Sequence, residues 1–596
     1  MKRLLITTAL PQTREFTKVH TLLGKWCLCE ESQSLAPIIP YHWDDRALLM
    51  CDYKSLDSLY EKILIELSGV MNEVHGERNS VHYWRILLGP WLGYIIQISY
   101  DRWKSIEVAS NSDVEYRTKV IDIDIDKLIP TNFDEFNKVI NSDLWNHYIY
   151  GKILNEFKNI EIFPVKDILV TEQAQSQRVG PSMNSLNWKH KLHAYFEKKL
   201  SFFVKKNDSF FIATYLPKWK QISLSILLRQ FPIIYSTKQS AMNYDVDLNK
   251  RVATKELLLS NDNYAGFNLF LRELISLQIP KCYLEGYYDL SSKVDKAYWP
   301  KTPKVIFTSN LYQGHDFFKL WAAKKVSKGS RLIIGQHGGN YGMAKWNFSE
   351  DHQKKISSTY LSWGWKDVKY PNVTPVGQLK MTHEISKRRD FDSNYNGRAM
   401  LVTMELPRYS YMMMSSVVAG QWLYYFEDQK SFIEKLQSGI KDNIVIRLKD
   451  RADGWNSYKR WKEYDSCIKI DKGGCNFHDE IQKYKVVVST YNAATYLESM
   501  AMNIPTIIFW NPEYWELRSE AEEYMDALEK VGIFHKTPDS AARHLSNIWD
   551  NIGEWWNSPE VKKERDVFCS KYSLENSDIT KEIADIIKIE KLEFAH

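Results

Sequence analysis

A glycine-rich loop with a single histidine is the part of the chain best suited to chemistry. The apolar residues 332–334 (LII) run directly into residues 335–342 (GQHGGNYG). This pattern is typical of a buried strand that ends in a tight loop. Glycine lets the backbone approach a ligand closely, and the imidazole of His337 can exchange a proton near neutral pH. The loop predicts a group-transfer site. The alternative is a plain turn with a buried, hydrogen-bonded histidine.

A second motif combines hydroxyl side chains with the start of a helix. The valine-rich strand pattern ends at Ser489 and Thr490, and a helix pattern begins near Asn492. Hydroxyls and exposed N–H groups at a positive helix end are typical of a phosphate site. Glu498, two turns into the helix, could bind the vicinal hydroxyls of a ribose. The alternative is an ordinary capped helix in which Glu498 is only a helix former.

Two cations stand at the end of another strand pattern in the same region. Arg447 closes the apolar residues 444–446, and Lys449 follows it. Cations at a strand end can neutralise a phosphate group. A solvated loop is the alternative.

Candidate acids and bases follow the strand patterns of the first half of the chain. Asp316 comes after the strand pattern at residues 304–308, and Glu350 comes after the glycine loop. We expect both carboxylates and His337 to converge on one cleft, where they are candidates for a nucleophile or a general base. A surface charge or a helix cap is the alternative for each.

Aromatic, polar and basic residues also cluster near the start of the sequence. This mixture suits a groove for an acceptor saccharide, because aromatic rings stack on the apolar faces of sugars. Core packing is the alternative for any single aromatic residue. The candidate acceptor-binding residues are His42, Asp44, Asp45, Arg46, Trp84 and Arg85.

Composition narrows the class of protein. With 596 residues, two or more domains are expected, and a net charge of +5 argues against a dedicated nucleic-acid binder. The 7 Cys residues are odd in number and form no pair of CxxC motifs, which favours a reducing cytoplasm over disulfides or zinc. The longest apolar run, residues 86–98, is too short to span a bilayer. A cytoplasmic protein, soluble or peripheral, is therefore predicted.

A basic segment is the candidate for contact with a membrane. Residues 188–206 have the pattern of an amphipathic helix, with lysines flanking Tyr195, Phe196, Phe202 and Phe203. Such a helix can dock on anionic lipid at the inner face of the inner membrane. An ordinary surface helix is the alternative.

Strand patterns alternate with helix patterns in two regions, which predicts parallel sheets. We expect an α/β fold in which two Rossmann-like domains face a central cleft. The predicted domains are residues 1–379 with a helical insertion at about 135–300, residues 398–552, and C-terminal helices at 553–596 that pack back across the domains. Residues 380–397 suit a linker.

Several blocks together resemble a known family. They include LITTALP, PYHWDDR, QHGGNYG, PRYSY and STYNAATYLESMAMNIPT. The chain resembles, over nearly its full length, transferases of O-antigen and nonulosonic-acid gene clusters. That family looks related to GT-B glycosyltransferases that use CMP-activated ulosonic acids, such as retaining Kdo transferases. The resemblance implies that the two facing domains form a GT-B-like fold.

The resemblance implies roles for the candidate residues. Asp316 is the first candidate for a carboxylate nucleophile and Glu350 the second, while His337 would act as acid or base or bind the donor carboxylate. The sequence departs from the pattern at residues 449–451 (KDR), where related enzymes carry His-Pro, and at residues 357–360, which lack an expected acidic residue. The donor nucleotide would contact Gln336, Gly338, Gly339, Arg447, Lys449, Ser489, Thr490, Asn492, Thr495 and Glu498.

A CMP donor has one phosphate, which cations and a helix end can neutralise, so we expect no metal and no cofactor besides the donor. The leading hypothesis is a glycosyltransferase of surface polysaccharide synthesis that transfers a CMP-activated ulosonic or nonulosonic acid to a glycan or lipid-linked glycan. The alternatives are a CDP-polyol phosphotransferase and a non-catalytic glycan-binding protein.

Overall fold

The computed structural model describes residues 2–14, 19–28, 36–166, 199–237, 241–260, 263–381, 397–449 and 454–593. Their strands form three sheets, and every strand pair within them is parallel. Helices connect and cover the sheets. The predicted α/β class is confirmed.

The first sheet has four strands in the order β2-β1-β3-β4. Two helices of 30 residues each follow β2 and pack on each other. The strands are β1 (Arg3–Ile6), β2 (His20–Leu22), β3 (Tyr116–Ile121) and β4 (Ile160–Val165), and the helices are α1 (Arg46–His75), α2 (Val81–Ser110), α3 (Phe133–Val139) and α4 (Asp143–Leu154).

Helix α2 is buried along its apolar centre, and two glycines allow another helix to cross it closely. A Cβ on Gly89 would lie 2.5 Å from the His352 ring, and one on Gly93 would lie 1.8 Å from the Phe348 ring. The apolar run at residues 86–98 is therefore interior packing. Within the described ranges, no helix combines the length and apolar character needed to cross a bilayer.

The second sheet has five strands that follow one another in chain order, and the glycine loop leaves the end of its middle strand. The strands are β5 (Phe210–Phe211), β6 (Val305–Thr308), β7 (Arg331–Gly335), β8 (Thr359–Ser362) and β9 (Val373–Pro375). The helices are α5 (Lys218–Leu227), α6 (Leu248–Leu259), α7 (Phe267–Gln278), α8 (Tyr287–Asp295), α9 (Leu311–Gly314), α10 (Asp316–Val326) and α11 (Phe348–Ile356).

The first half of the chain, predicted as one Rossmann-like domain with a helical insertion, contains two separate sheets. Strand β1 pairs with β2 and β3, whereas β7 pairs with β6 and β8 in a separate sheet. The middle stretch, expected to be helical, also contributes β4 and β5. Apolar runs of similar length do not encode which strands become neighbours, because pairing depends on the helices that separate them.

The third sheet has six strands in the order β12-β11-β10-β13-β14-β15. The strand order reverses between β10 and β13, and in open parallel sheets such a switch point opens a crevice at the carboxyl ends. The strands are β10 (Arg398–Val402), β11 (Ile444–Arg447), β12 (Lys469–Asp471), β13 (Tyr484–Ser489), β14 (Thr506–Phe509) and β15 (Phe534–His535). The helices are α12 (Trp422–Lys435), α13 (Ser438–Lys441), α14 (Ser457–Tyr464), α15 (Phe477–Ile481), α16 (Ala494–Ala501), α17 (Ser519–Lys530) and α18 (Pro538–Ile548).

The last three helices join the two halves of the chain. They are α19 (Ile552–Asn557), α20 (Pro559–Tyr572) and α21 (Ile579–Glu593). Helix α20 packs on α16 and α17 beside the third sheet, and α21 packs on α5 and β6 of the second sheet.

Candidate functional site

The glycine loop faces the switch point of the third sheet across a cleft of about 540 Å³. We call this cavity the donor cleft. One wall is the loop at residues 338–340, and the other is formed by the ends of β10 and β11 and by the turn into α16. Of the residues predicted to bind the donor, those that line it are Gly338, Gly339, Arg447, Lys449, Asn492, Thr495 and Glu498.

The two walls meet at Gly339. A Cβ on this residue would lie 2.4 Å from the Ala493 carbonyl carbon and from the Ala494 nitrogen, which stand at the start of α16. Real Cβ atoms essentially never make such a contact. Glycine is therefore required for the loop to reach the helix start. The same approach brings the loop and the exposed N–H groups of α16 to one site.

The hydroxyls of Ser489 and Thr490 hold the switch point together and do not line the cleft. The Thr490 hydroxyl donates to the Val402 carbonyl at 2.9 Å and lies 2.6 Å from the Tyr425 hydroxyl. Ser489 is fully buried, with its Oγ 3.4 Å from Oγ1 of Thr495. The start of α16 is therefore the part of the predicted phosphate site that lines the cleft.

Both predicted cations line the cleft from β11. Arg447 is 7% exposed and is oriented by an ion pair with Asp471 and a 2.6 Å hydrogen bond to the Cys475 carbonyl. The Lys449 ammonium lies 3.5 Å from the Glu405 carbonyl oxygen. Fixed guanidinium and ammonium groups at a helix start are suited to binding an anion.

Glu498 lies at the floor of the cleft, between two basic side chains. Its carboxylate accepts hydrogen bonds from His478 Nε2 at 3.0 Å and from Lys380 Nζ at 3.1 Å. Burial by itself raises the pKa of Glu498, but the hydrogen bond from His478 and the charge of Lys380 outweigh it, so the pKa lies below its usual value. Glu498 is therefore an ionised acceptor at neutral pH.

Gln336 braces the loop from inside the protein and does not contact the cleft. Its amide nitrogen donates to the Gly338 carbonyl at 2.7 Å. Its amide oxygen accepts from the Trp363 backbone N–H at 2.9 Å and from the Trp365 indole at 2.8 Å. Trp363 and Trp365, for which the sequence analysis predicts no role, thus fix the conformation of the loop.

His337 lies at the boundary between the donor cleft and a second cavity. The imidazole lines a cavity of about 610 Å³ on the other side of the loop, while the next two residues line the donor cleft. Burial lowers the pKa of His337 to about 4, so the ring is neutral at pH 7. Its Nε2 lies 3.5 Å from the Tyr341 hydroxyl.

Comparison with known proteins decides the class of this chain. The sequence model of the LIC12162 family transferases matches residues 3–587. The chain belongs to this family. The expected transferase class is confirmed by this match, whereas the donor is not specified by it. No curated protein matches the chain.

Three solved structures that are similar to this LIC12162 family transferase have low sequence identity to it. The wall teichoic acid polymerase TagF, in a form soaked with CDPG, aligns at a TM-score of 0.31 and 10% identity over 70% of this chain and 100% of that chain. MurG from Acinetobacter baumannii aligns at a TM-score of 0.30 and 9% identity, over 65% of this chain and 100% of that chain. WaaG, a glycosyltransferase involved in lipopolysaccharide biosynthesis, aligns at a TM-score of 0.27 and 10% identity, over 64% of this chain and 99% of that chain.

Asp316, the first candidate nucleophile in this LIC12162 family transferase, is placed in a structural ion pair. Its side chain is 0% exposed and forms an ion pair at 2.8 Å with Lys319. It also accepts hydrogen bonds from the Tyr283 hydroxyl and from the Phe133 backbone N–H. Both oxygens are occupied and no substrate can reach them, so the nucleophile assignment is corrected to a packing role.

Glu350, the second candidate, is also fully buried. One oxygen accepts from Lys354 at 2.8 Å and from Arg518 at 2.6 Å, and the other accepts from the Gly342 backbone N–H at 3.0 Å. The residue therefore anchors the end of the glycine loop to the third-sheet region. It is corrected from a reacting group to a positioning residue.

The residues predicted to form an acceptor groove make contacts within the protein and line neither of these two cavities. Arg46 makes a bidentate pair with Glu516 at 2.7 and 2.9 Å, and Arg85 makes one with Glu61 at 2.8 and 2.6 Å. These guanidinium groups connect secondary-structure elements. Neither lines the donor cleft or the second cavity.

The other acceptor candidates have structural roles as well. Trp84 is fully buried and donates to Asn72 at 3.0 Å, while the His42 side chain is 3% exposed beside Asp101. Burial lowers the pKa of His42. The alternative of core packing holds for both.

Asp44 and Asp45 complete the set. Asp45 caps α1 by accepting from the backbone N–H groups of Ala47 and Leu48 at 2.9 and 3.1 Å. Asp44 accepts from Gln421 at 3.0 Å. An Asp directly before an amphipathic run is a helix-start signal, and that signal could have identified Asp45 as a cap from sequence.

Proposed function

We propose that this transferase binds a nucleotide-activated sugar in the donor cleft and transfers the sugar to a glycan of a surface polysaccharide. The donor that we propose is a CMP-linked ulosonic or nonulosonic acid. The observation that carries the proposal is that one cleft combines a close-approaching glycine loop, a helix start and the side chains of Arg447 and Lys449.

The charge distribution of the cleft fits such a donor. A CMP-linked ulosonic acid has one phosphate and one carboxylate. The donor cleft offers Lys380, Arg447 and Lys449, together with the start of α16. Glu405 and Glu498 also line the cleft, and ionised Glu498 can accept hydrogen bonds from ribose hydroxyls beside its partner Lys380. Cations for the anionic groups and a carboxylate for the hydroxyls occupy the same cavity.

The test is the binding of CMP, CDP, UMP, UDP and GDP, measured by thermal shift and calorimetry. We expect CMP to stabilise the protein selectively and Lys449→Ala to weaken CMP binding roughly tenfold, as for the loss of one charge-assisted hydrogen bond. Lys435→Ala, an exposed lysine at the end of α12, is the matched control. A preference for UDP or GDP would agree with a nucleotide-sugar transferase but would contradict the proposal that the donor is a CMP-linked sugar.

The same experiment addresses the other two functions. A CDP preference, followed by a product that retains a phosphate by mass spectrometry, would identify a CDP-polyol phosphotransferase. No response to any nucleotide would favour a non-catalytic glycan-binding protein. We further propose that turnover needs no divalent metal, so activity lost in EDTA and restored by a metal would contradict this part.

We also propose peripheral contact with an anionic membrane, through a surface that includes α5. Residues 188–198 of the basic segment lie outside the described residues. In α5, the described Trp219, Ile222 and Ile226 are 53%, 38% and 63% exposed, at helical spacing on one face. Lys218 and Lys220 flank them. An exposed apolar face bordered by lysines suits an anionic lipid surface.

Vesicle co-sedimentation tests the membrane contact. We expect binding to phosphatidylglycerol vesicles, weaker binding to phosphatidylcholine, and loss of binding in a Trp219→Ser, Ile226→Ser double variant. Ile65→Ser, which changes a residue of α1 that is 60% exposed, is the control. Equal sedimentation of the double variant and the control would contradict this surface.

A further inference from the structure

A second cavity of about 610 Å³ lies on the far side of the glycine loop from the donor cleft. Its walls come from α3, from the segment between β6 and α10, and from the loop itself. No residue predicted from sequence to bind the acceptor contributes to it. Its polar lining residues are Asn132, Asp134, Asn137, Asn310, Gln313, His315 and His337. The carboxylate of Asp134 is paired with Lys138 at 2.6 Å, one turn along α3.

The side chains of this cavity are suited to a neutral, hydroxyl-rich ligand. Among its described lining residues there is no lysine or arginine, whereas the donor cleft has three such side chains. Four of the lining side chains are carboxamides, which both donate and accept hydrogen bonds, as sugar hydroxyls do. The donor cleft therefore offers positively charged groups, as a phosphorylated donor requires. The second cavity offers mainly uncharged hydrogen-bonding groups, as a neutral saccharide requires.

His315 presents a hydrogen-bond donor whose position is fixed. Its Nδ1 accepts the backbone N–H of Phe318 at 3.0 Å, capping α10, so the proton of the neutral ring is on Nε2. Burial lowers the pKa of His315, which keeps the ring neutral. The residue is 7% exposed, and the backbone of Thr237 lies beside its ring, but its Nε2 makes no hydrogen bond of good geometry within the described structure.

Asn310 presents the complementary acceptor. Its amide nitrogen donates to the Tyr215 hydroxyl at 3.1 Å, which orients the group, while its Oδ1 is buried without a hydrogen bond to the described residues. The Nδ1 of His337 makes no hydrogen bond of good geometry with them either, although the Ser309 backbone and the Gln353 side chain lie near the ring. Buried polar groups in native proteins are nearly always hydrogen-bonded, so such groups gathered around one cavity point to a ligand.

We infer that this cavity binds the acceptor saccharide and holds one of its hydroxyls against His337, at the boundary with the donor cleft. This inference rests on the proposed function, since it needs a donor in the neighbouring cleft. Because residues 337, 338 and 339 are consecutive, a hydroxyl at His337 lies beside the loop that closes the donor cleft. His337 is then a substrate-binding residue that faces the acceptor.

Saturation-transfer NMR with a set of methyl glycosides of the common hexoses and N-acetylhexosamines tests the inference. We expect at least one glycoside to bind. Asn310→Ala should weaken binding roughly fivefold to tenfold, as for one lost hydrogen bond. His315→Asn should have a similar effect, since asparagine can still cap α10 but cannot place a donor where Nε2 is.

The controls distinguish a loss of glycoside binding from a loss of folding and from a loss of nucleotide binding. Gln437→Ala changes an exposed carboxamide outside both cavities and should bind glycosides as the wild type does. Each cavity variant should keep the wild-type thermal midpoint and affinity for the nucleotide. If either cavity variant unfolds, Gln313→Ala replaces it.

The inference is overturned if no glycoside binds, if the cavity variants bind as well as Gln437→Ala does, or if Lys449→Ala rather than the cavity variants abolishes binding. Nucleotide binding without glycoside binding would overturn this inference alone and leave the proposed function intact. Glycoside binding in the second cavity without nucleotide binding would support the saccharide site and contradict the donor.

Discussion

Gly338 and Gly339, adjacent in the loop, are glycines for different reasons. A Cβ on Gly339 would lie 2.4 Å from backbone atoms of Ala493 and Ala494, and backbone cannot move aside as a side chain can. A Cβ on Gly338 would lie 3.4 Å from the Tyr341 ring, which is an ordinary contact. The tight approach between the two halves of the molecule therefore depends on one residue.

We predict that Gly339→Ala separates the loop from α16 and lowers nucleotide affinity at least tenfold. Overpacking of this kind costs about 1–3 kcal/mol, so the thermal midpoint should also fall by several degrees. Gly338→Ala is the matched control and should change neither quantity substantially. Calorimetric titration with the preferred nucleotide and a thermal melt measure both. Equal affinities for the two variants would show that the close approach does not shape the site.

At the scale of elements, a short segment before α17 joins the glycine loop to the third-sheet region. The Arg518 backbone N–H donates to the Met343 carbonyl at 2.9 Å, and its side chain pairs with buried Glu350 at 2.6 Å. Glu516, two residues earlier, holds Arg46 of α1. This segment therefore connects the first half of the chain to the wall of the donor cleft.

We predict that Arg518→Ala destabilises the protein by about 3 kcal/mol, because it leaves the Glu350 carboxylate buried with one cation fewer. Adding Glu350→Gln should recover part of that loss, since the buried charge is then removed. Lys588→Ala removes an exposed pair with Asp585 and should leave the free energy of unfolding nearly unchanged, because water screens exposed charges. Denaturant unfolding of five proteins measures these differences: the wild type, Arg518→Ala, Glu350→Gln, the double variant and Lys588→Ala. Strictly additive effects of Arg518→Ala and Glu350→Gln would contradict the coupling.

At the scale of the whole molecule, several buried histidines share one electrostatic property. Burial lowers the pKa values of His75, His147 and His535 to about 4. These side chains are 2%, 1% and 6% exposed and lie in different parts of the fold. Unfolding exposes these rings to water and returns their pKa values to the usual range. Protonation of the rings is therefore coupled to unfolding, whichever part of the protein unfolds first.

We predict that the protein loses stability on mild acidification. A histidine with an unfolded pKa near 6.5 and a folded pKa near 4 favours the folded state fully above about pH 6.5, and this contribution is lost as the pH falls toward 4. At pH 5.5 the loss is about 1 kcal/mol for each histidine. Denaturant unfolding between pH 7.5 and 5.5 measures the slope, and His535→Gln should reduce it. A flat profile over this range would contradict the prediction.

The order of strands, turns and helices along the chain could be predicted from sequence. The strand patterns at residues 331–335, 444–447 and 506–509 match β7, β11 and β14, because continuous apolar runs bounded by turn residues have few other conformations in a parallel sheet. The same local reasoning predicts the glycine loop and the turn into α16, which the structure places on facing walls of the donor cleft. Local pattern encodes local geometry.

Only the tertiary structure decided which polar groups are available to a ligand. Asp316 and Glu350 resemble reactive carboxylates in the sequence, yet each is neutralised by a lysine or arginine and buried. Lys380 is the first residue of the segment predicted as a linker, yet it lines the donor cleft. His315 caps α10 and also lines the second cavity. Burial and pairing depend on residues distant in the chain, so a carboxylate that binds a substrate and one that binds an arginine have the same local sequence pattern.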